Sequence, residues 1–239
     1  MIAEKLHQVQ AEIEKARLRR TRVPKESPVR LVAVTKNHDI AAMREAIDAG
    51  AAEIGENRIQ EARDKFDRLD RPVAWHLIGH LQTNKAKQAV KYFNLIHSVD
   101  SSHLALALDK AAASVQKVQD VLVQVNLAEE ESKSGVRRDG LMDLLEEVDS
   151  LEHLRLRGLM LIAPYCENEE MCRPLFREMY EIFRKVQGMD WKRAKIEALS
   201  MGMTHDYRIA VEEGANIVRV GTAIFGQRHY EGVGDDGDH

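Results

Sequence analysis

A lysine at the end of a short apolar run is the residue of this chain with the clearest chemical potential. Lys36 closely follows Leu31–Val34, so we expect it to emerge at the mouth of a barrel of parallel strands, where such folds build their sites. An amine that is partly desolvated there can lose its proton and form a Schiff base with an aldehyde. The alternative is a surface lysine that begins a loop, and position alone does not decide between the two.

Two glycine-containing segments near the end of the chain are suited to binding an anion. Ser200 and Gly202 follow one apolar run, and Gly221 and Thr222 follow the next. Glycine lets the backbone approach a phosphate closely, and hydroxyl groups can donate hydrogen bonds to it. Barrels often bind phosphate between the loops after strands seven and eight. The alternative is that the glycines only turn the chain and the hydroxyls cap helices.

Arg219 interrupts Ile217–Val220, a run that otherwise suits complete burial. A buried guanidinium needs a partner, because an unpaired internal charge is very costly. One interpretation is a salt bridge inside the barrel, with Glu197 as the candidate partner. The other is a cation that faces a ring or an acidic group of a bound ligand.

Other polar residues give weaker signals. His76 and His80 are four residues apart but lie on a predicted strand and a glycine turn, so we expect a structural role and no metal site. The two cysteines, six residues apart, predict free thiols. Positions 17–22, which are rich in arginine, predict a solvated helix end.

The elements that must position these residues are eight short β-rich runs separated by helical patterns. They are Leu31–Thr35, Ala52–Gly55, Val73–Ile78, Leu95–Val99, Val121–Asn126, Leu154–Leu161, Ile196–Ser200 and Ile217–Val220. This alternation favours parallel pairing, and eight such units in about 250 residues are typical of a (β/α)8 barrel. A Rossmann-like sheet is the second choice, but no G-x-G-x-x-G follows the first run.

The domain organisation predicted from these patterns is simple. The α/β chain forms a single (β/α)8 barrel of the TIM type over residues 1–231, with an extra N-terminal helix within residues 1–22 and a flexible acidic tail at 232–239. In the helix, Ile2, Leu6, Val9, Ile13 and Ala16 recur at spacings of four and three. We expect that helix to end near residue 20.

Composition excludes several classes of function. The chain has 35 Lys and Arg against 39 Asp and Glu, a net charge of −4, which argues against a nucleic-acid-binding protein. No apolar stretch approaches the roughly 20 residues of a membrane span. The first residues carry charges throughout and have no apolar core of a secretory signal. We therefore expect a cytoplasmic protein.

Motifs along nearly the whole chain resemble one known family. They are LVAVTK at 31–36, GENRIQE at 55–61, WHLIGHLQTNK at 75–85, QVNLAEEESKSG at 124–135, GLM at 158–160, SMGMTHD at 200–206 and VRVGTAIFG at 218–226. Together they resemble the pyridoxal phosphate homeostasis protein family, which shares the barrel of the alanine racemase N-terminal domain. The resemblance implies pyridoxal 5'-phosphate (PLP) as cofactor.

The resemblance also implies roles for individual residues around the ring of the cofactor. Lys36 would hold PLP as an internal aldimine, and Arg219 would face the pyridine nitrogen. Asn57 would lie on the ring side, and Met160 would supply part of the apolar wall. Lys133 would lie near the mouth and receive cofactor transiently.

The phosphate would be held by the two glycine-containing segments. Ser200 and Thr222 would donate through their hydroxyls, and Gly202 and Gly221 through backbone N–H groups. Thr35 stands where serine is common in the family, which affects the fine geometry near the lysine but not the cofactor.

The family resemblance favours a carrier that acts in intracellular PLP homeostasis over an enzyme. Its expected partners are PLP and, as candidate recipients, PLP-dependent apo-enzymes, with no nucleic acid or membrane. A fold-type III amino-acid racemase is the alternative, but it needs a second domain that supplies a tyrosine base, and the barrel uses nearly all of this chain. A Schiff-base aldolase for sugar phosphates is a further alternative. Without the racemase type of dimer contact, we expect a monomer.

Overall fold

The structure, a computed structural model, describes residues 1–128 and 134–226. Lys133 and the predicted tail at 232–239 therefore lie outside the described residues. Eight parallel strands pair in chain order, and β8 pairs with β1 to close a barrel. The strands are β1 (Arg30–Val34), β2 (Glu53–Glu56), β3 (Ala74–Leu77), β4 (Leu95–Val99), β5 (Gln119–Val125), β6 (Leu154–Leu161), β7 (Ala198–Met203) and β8 (Ile217–Val220). The predicted (β/α)8 barrel is confirmed.

Helices cover the outside of the barrel. They are α1 (Ile2–Leu18), α2 (Ile40–Asp48), α3 (Ile59–Phe66), α4 (Ala86–Tyr92), α5 (Ser102–Ser114), α6 (Leu141–Ser150), α7 (Arg173–Gln187), α8 (Tyr207–Glu212) and α9 (Thr222–Phe225). Short 3-10 helices lie at Thr83–Lys85, Arg138–Gly140 and Glu169–Cys172. Within the described ranges, no helix has the length and apolar composition needed to cross a bilayer.

The extra N-terminal helix, α1, packs against α2, α8 and α9. Its buried residues are Leu6, Val9, Ile13 and Ala16, the face that the sequence predicts. The prediction of a solvated helix end is wrong at Arg20, which is 1% exposed. Its guanidinium donates to the carbonyl oxygens of Pro24, Ser27, Val211 and Ala215, so it joins the end of α1 to the chain before β8.

The barrel interior is filled by a small apolar cluster to which six strands contribute. Its members are Val32, Leu95, Leu122, Met160, Ala198 and Ile217. Because successive side chains of a strand point to opposite faces, the residues two and four positions further along each strand line the upper interior and the mouth. A much larger apolar cluster lies between the strands and the helices.

The end of β7 differs from the prediction. The strand continues to Met203 instead of ending at Ser200. The sequence pattern predicts a helix from near Thr204, whereas α8 begins at Tyr207. The side chain of Asp206 accepts a hydrogen bond from Met203 N at 2.7 Å, which closes a turn between the strand and the helix. This turn delays the helix by about one turn relative to the sequence pattern.

Candidate functional site

Lys36 lies at the carboxyl end of β1, on the inner face of the barrel. Val32 belongs to the interior cluster, and the alternation places Val34 and then Lys36 on the same face. The ladder extends past the strand, since Thr35 N donates to Gly55 O at 3.0 Å. Lys36 is half-buried, as expected of a lysine at the mouth.

A buried polar cluster fixes the backbone next to Lys36 from the outer side of the sheet. Lys65, on α3, donates to Thr35 O at 2.8 Å, to Glu56 Oε1 at 2.8 Å and to Glu61 Oε1 at 2.6 Å. The Thr35 hydroxyl donates to the same Glu56 oxygen at 2.5 Å. Burial raises the pKa of Glu56, while Lys65 and Thr35 oppose that rise. Strand β1 is thereby held at the residue that precedes the candidate amine.

The loop after Lys36 is a tight turn. Asn37 has a φ of 61°, in the left-handed region that asparagine tolerates better than most residues. Its N–H donates to Glu61, and His38 N donates to Thr35 O at 3.1 Å. The His38 ring stacks on Phe225, 4.7 Å between centroids, so this loop contacts the end of α9.

The loops after β7 and β8 meet as the sequence predicts. Gly221 N donates to the Thr204 hydroxyl at 3.2 Å. Gly202 has a φ of 94°, and a Cβ there would lie 2.6 Å from the Ala210 Cβ, so the position accepts only glycine without strain. Thr222 is exposed and begins α9. The first N–H groups of a helix have no intrahelical partner, which leaves donors for an anion here.

Arg219 is buried below these loops, and its guanidinium has neutral partners. It donates to Ser200 Oγ at 2.6 Å and to Leu161 O at 2.9 Å. Burial lowers the pKa of Arg219 to about 10, so it stays charged at neutral pH. The predicted salt bridge with Glu197 is wrong, because Glu197 pairs with Arg157 and, at 3.1 Å, with Lys195 outside the interior.

The remaining predicted residues lie around the same interior. Met160 is completely buried in the interior cluster and aligns with Ser200 on β7. Asn57 is half-buried and lines a cavity of about 300 Å³ at the mouth, together with Gln124, Asn126 and Ile162. The structure therefore brings the predicted residues together from β1, β2, β6, β7 and β8.

Two buried histidines join this group, and sequence reasoning missed one of them. His76 Nδ1 lies 2.9 Å from His97 Nε2, and His97 Nδ1 lies 2.9 Å from Ser200 Oγ. His76, for which we expect a structural role, is buried on β3. The signal for His97 is its position between Ile96 and Ser98 in β4, two residues after the interior Leu95. Among the described residues, no group of three or more His, Cys, Asp and Glu could hold a metal ion.

A cavity of about 710 Å³ lies at the opposite end of the barrel, between α1 and the starts of β1 and β2. Its arginines are already paired, Arg17 with Glu14 and Arg30 with Glu53. Barrel sites lie at the carboxyl ends of the strands, and the candidate amine and the glycine loops are at that end. We therefore assign the site to the mouth.

A racemase would need a tyrosine base, and Tyr165 and Tyr207 are the tyrosines that follow β6 and β7. Tyr165 is 80% exposed and stacks on His205, with 5.2 Å between the ring centroids. Tyr207 is buried at the start of α8, and burial raises the pKa of its hydroxyl. A raised pKa keeps the Tyr207 hydroxyl protonated at neutral pH, so little of the phenolate that could accept a proton is present.

The arrangement therefore suits a ligand that carries a carbonyl group, an anionic group and a ring. An amine at the mouth can bond a carbonyl carbon, backbone N–H groups and a hydroxyl can hold an anionic group, and a buried cation can face a ring. The glycines leave space that a Cβ would fill, since a Cβ at Gly221 would lie 3.2 Å from the Val34 Cβ. Chemically, the residues fit an aromatic aldehyde that carries a phosphate.

Comparisons with known proteins agree with this geometry. The family model for the alanine racemase N-terminal domain matches residues 8–229. The pyridoxal phosphate homeostasis protein of Aquifex aeolicus is 42% identical over 228 residues, which cover 95% of this chain and 98% of that protein. The protein of the same name from Escherichia coli K12 is 37% identical, over 96% and 97% of the two chains.

Solved structures give the same result. PipY of Synechococcus elongatus, solved with PLP bound, has a TM-score of 0.82 and 38% identity over 95% of this chain and all of its own. An alanine racemase from Clostridium difficile, 13% identical, shares the fold with a TM-score of 0.68, over 95% of this chain and 58% of its own. With family model, relatives and barrel in agreement, the chain belongs to the pyridoxal phosphate homeostasis protein family.

Proposed function

We propose that this protein binds PLP and acts in its intracellular homeostasis, with the cofactor held by Lys36 as a Schiff base. The observation that carries the proposal is the convergence, at one end of the barrel, of the Lys36 amine, the buried Arg219 cation and the glycine-built loops at Gly202 and Gly221. The relatives named for PLP and the PLP-bound PipY structure support the choice of ligand.

When bound, PLP supplies an aldehyde that forms a reversible covalent bond with an amine. The protein's own residues position that amine and tune the ring. The Lys65 cluster fixes the peptide before Lys36 and so orients the amine. Arg219 stays positively charged, and a cation next to a ring nitrogen disfavours protonation of that nitrogen. The ring would then be a weaker electron sink for a full carbanion.

The phosphate would lie between the loops after β7 and β8. The hydroxyl of Thr222 and the backbone N–H groups at Gly202 and Gly221 are the proposed donors, and the Gly221 N–H would exchange its 3.2 Å bond to the Thr204 hydroxyl for the phosphate. Met160 would pack below the ring and Asn57 beside it. Ser200 belongs to the same set of residues, and its hydroxyl contacts Arg219.

Borohydride reduction tests the proposal directly. We expect purified protein to take up PLP with a yellow colour, and reduction followed by peptide mapping to place the cofactor on Lys36. Lys36→Ala should abolish the label. The matched control is Lys85→Ala, an exposed lysine near the mouth, which should keep it. A protein that takes up no PLP, or a label on another lysine, would refute the assignment.

The carrier is separated from the racemase by a second measurement. Loaded protein is incubated with L-alanine and other L-amino acids in deuterated water, and the α-carbon is followed by NMR. A carrier should show little exchange and no inversion. Rapid exchange with inversion would show that the protein is an amino-acid racemase, and cleavage of a sugar phosphate by PLP-free protein would favour the aldolase.

We also propose that the protein acts in the cytoplasm as a monomer and passes PLP to apo-enzymes. Sedimentation of the loaded protein tests the oligomeric state, and a dimer would contradict it. Transfer is tested by mixing loaded protein with a PLP-dependent apo-enzyme and following the appearance of its activity.

A further inference from the structure

A line of polar side chains crosses the barrel interior from Arg219 to the opposite end. Arg219 Nη1 is 2.6 Å from Ser200 Oγ, which is 2.9 Å from His97 Nδ1. His97 Nε2 is 2.9 Å from His76 Nδ1, and His76 Nε2 is 3.5 Å from Glu53 Oε2. The first four residues are at most 3% exposed. Glu53 begins β2, so the line ends at the barrel end away from the site.

The two ends of this line have opposite hydrogen-bonding character. The Arg219 guanidinium can only donate, and an ionised carboxylate can only accept. Glu53 is ion-paired through Oε1 to Arg30 at 2.7 Å. Its Oε2 is buried and has no hydrogen-bond partner within the part of the chain that the structure describes. The N–H of His76 is the donor placed to approach it.

The two histidines between these ends are neutral. Burial lowers the pKa of His76 to about 3, and burial together with neighbouring cations lowers the pKa of His97 well below its ordinary value. A neutral imidazole has one donor nitrogen and one acceptor nitrogen. In a hydrogen-bond line through two such rings, each ring donates on one side and accepts on the other. All the donors of the line therefore point the same way.

The Glu53 carboxylate decides which way the donors point, because it can only accept a hydrogen bond. If His76 carries its proton on Nε2, facing the carboxylate, its Nδ1 must accept from His97 Nε2–H. His97 Nδ1 is then an acceptor and takes the hydroxyl proton of Ser200, whose lone pair accepts from Arg219. The reverse direction would place a bare nitrogen of His76 against a buried carboxylate oxygen, and two facing acceptors without a proton are costly.

We propose that Ser200, His97 and His76 are positioning residues for Arg219, forming one directed hydrogen-bond line in which Ser200 donates to His97 and acts on the ligand only through Arg219. This inference rests on the proposed function for its effect on PLP. It changes the role expected for Ser200, whose hydroxyl proton is then not available to the phosphate. Thr222 and the loop N–H groups remain the phosphate donors.

The direction of the line is measured on ligand-free protein, which separates it from PLP binding. The ¹⁵N–¹H correlations of an imidazole show which nitrogen carries the proton. His76 and His97 are identified as the rings that keep a neutral pattern at about pH 5, where ordinary histidines are charged. We expect both to be protonated on Nε2. Protonation of either ring on Nδ1 would overturn the proposal.

The role of Ser200 is tested by comparing two ligands, pyridoxal phosphate and pyridoxal. If Ser200 acts through Arg219, Ser200→Ala should weaken the affinity for both ligands by the same factor, about ten- to a hundred-fold, as expected for loss of a hydrogen bond to a charged group. If Ser200 instead donated to the phosphate, only pyridoxal phosphate would lose affinity, and the inference would fail.

Thr222→Val is the matched variant, because it removes a hydroxyl that we assign to the phosphate. Thr222→Val should lower the affinity for pyridoxal phosphate about ten-fold and leave the affinity for pyridoxal unchanged. Failure of the wild-type protein to bind PLP would refute the proposed function, while the imidazole spectra would still decide the direction of the line. A selective loss in Ser200→Ala with normal binding in the wild type would refute the inference alone.

Discussion

Replacement of Lys65 by methionine removes the cation of the buried cluster beside Lys36. Lys65 is 7% exposed and contacts Thr35 O, Glu56 Oε1 and Glu61 Oε1. Glu56 is completely buried, and among the described residues its Oε2 has no hydrogen-bond partner. Lys65→Met therefore leaves a buried carboxylate without its charge partner. Loss of one partner of a buried ion pair costs about 3–5 kcal/mol, a large part of the roughly 5–15 kcal/mol typical of a folded protein.

The destabilisation should depend on pH with a definite sign. Burial already raises the pKa of Glu56, and Lys65 opposes that rise, so the pKa in the variant should be higher still. The folded state then binds a proton more readily than the unfolded state. Stability should therefore fall as pH rises from the ordinary carboxyl pKa to the raised value, by up to about 1.4 kcal/mol per pH unit. At acidic pH, with Glu56 neutral, the penalty should be smallest.

Urea unfolding between about pH 5 and 8 measures both effects. Lys15→Met, which removes an exposed ion pair with Glu12, is the control and should have little effect because exposed pairs contribute little. Adding Glu56→Gln to Lys65→Met should recover part of the loss, since no charge is then stranded. A penalty that is independent of pH and unchanged by Glu56→Gln would refute the reasoning.

Three further substitutions test other parts of the structure by urea unfolding. Gly202→Ala should cost about 1–2 kcal/mol more than Gly50→Ala, because both have a positive φ but only at Gly202 would the Cβ meet other atoms, at 2.6 Å; equal costs would contradict the close approach of Ala210 to this glycine. Asp149→Asn should cost about 1–3 kcal/mol, since the carboxylate accepts three successive N–H groups at 192–194; a neutral result would show that these bonds contribute nothing. Arg20→Met should cost about 2–4 kcal/mol, because four carbonyl oxygens lose their shared donor; a cost as small as that of an exposed arginine would refute its buried role.

Much of the fold is predictable because its signals are local. Strands β4, β6 and β8 have the predicted limits, and the buried face of α1 follows the predicted spacing. The start of α8 is not predictable in this way. It depends on Gly202 in a left-handed conformation and on the contact of Asp206 with Met203 N, and neither leaves a periodic trace in the sequence.

In the candidate site, too, residues marked by a local sequence pattern can be predicted, whereas contacts between residues distant in sequence cannot. Lys36 and the glycines can be located because a residue that follows an apolar run must lie at the end of a strand. The cluster of Lys65 with Glu56, and the approach of His97 to Ser200, 103 residues later, depend on contacts between distant strands and helices. Residue types alone do not indicate which of many buried polar groups will meet.

The partner of Arg219 depends on long-range contacts, and it is the contact that matters most for function. Sequence reasoning offers Glu197 because carboxylates are the obvious partners of a buried cation, but the guanidinium is held by a hydroxyl and by the carbonyl of Leu161, a group that no side-chain pattern reveals. Asp206 acts on Arg219 electrostatically, yet in the described parts of the chain the two form no ion pair. A guanidinium bound by neutral acceptors keeps its charge available, whereas a carboxylate partner would cancel much of it. The neutral partners therefore leave a buried cation whose charge can act on a bound ligand, which supports the proposed place of Arg219 beside the ring.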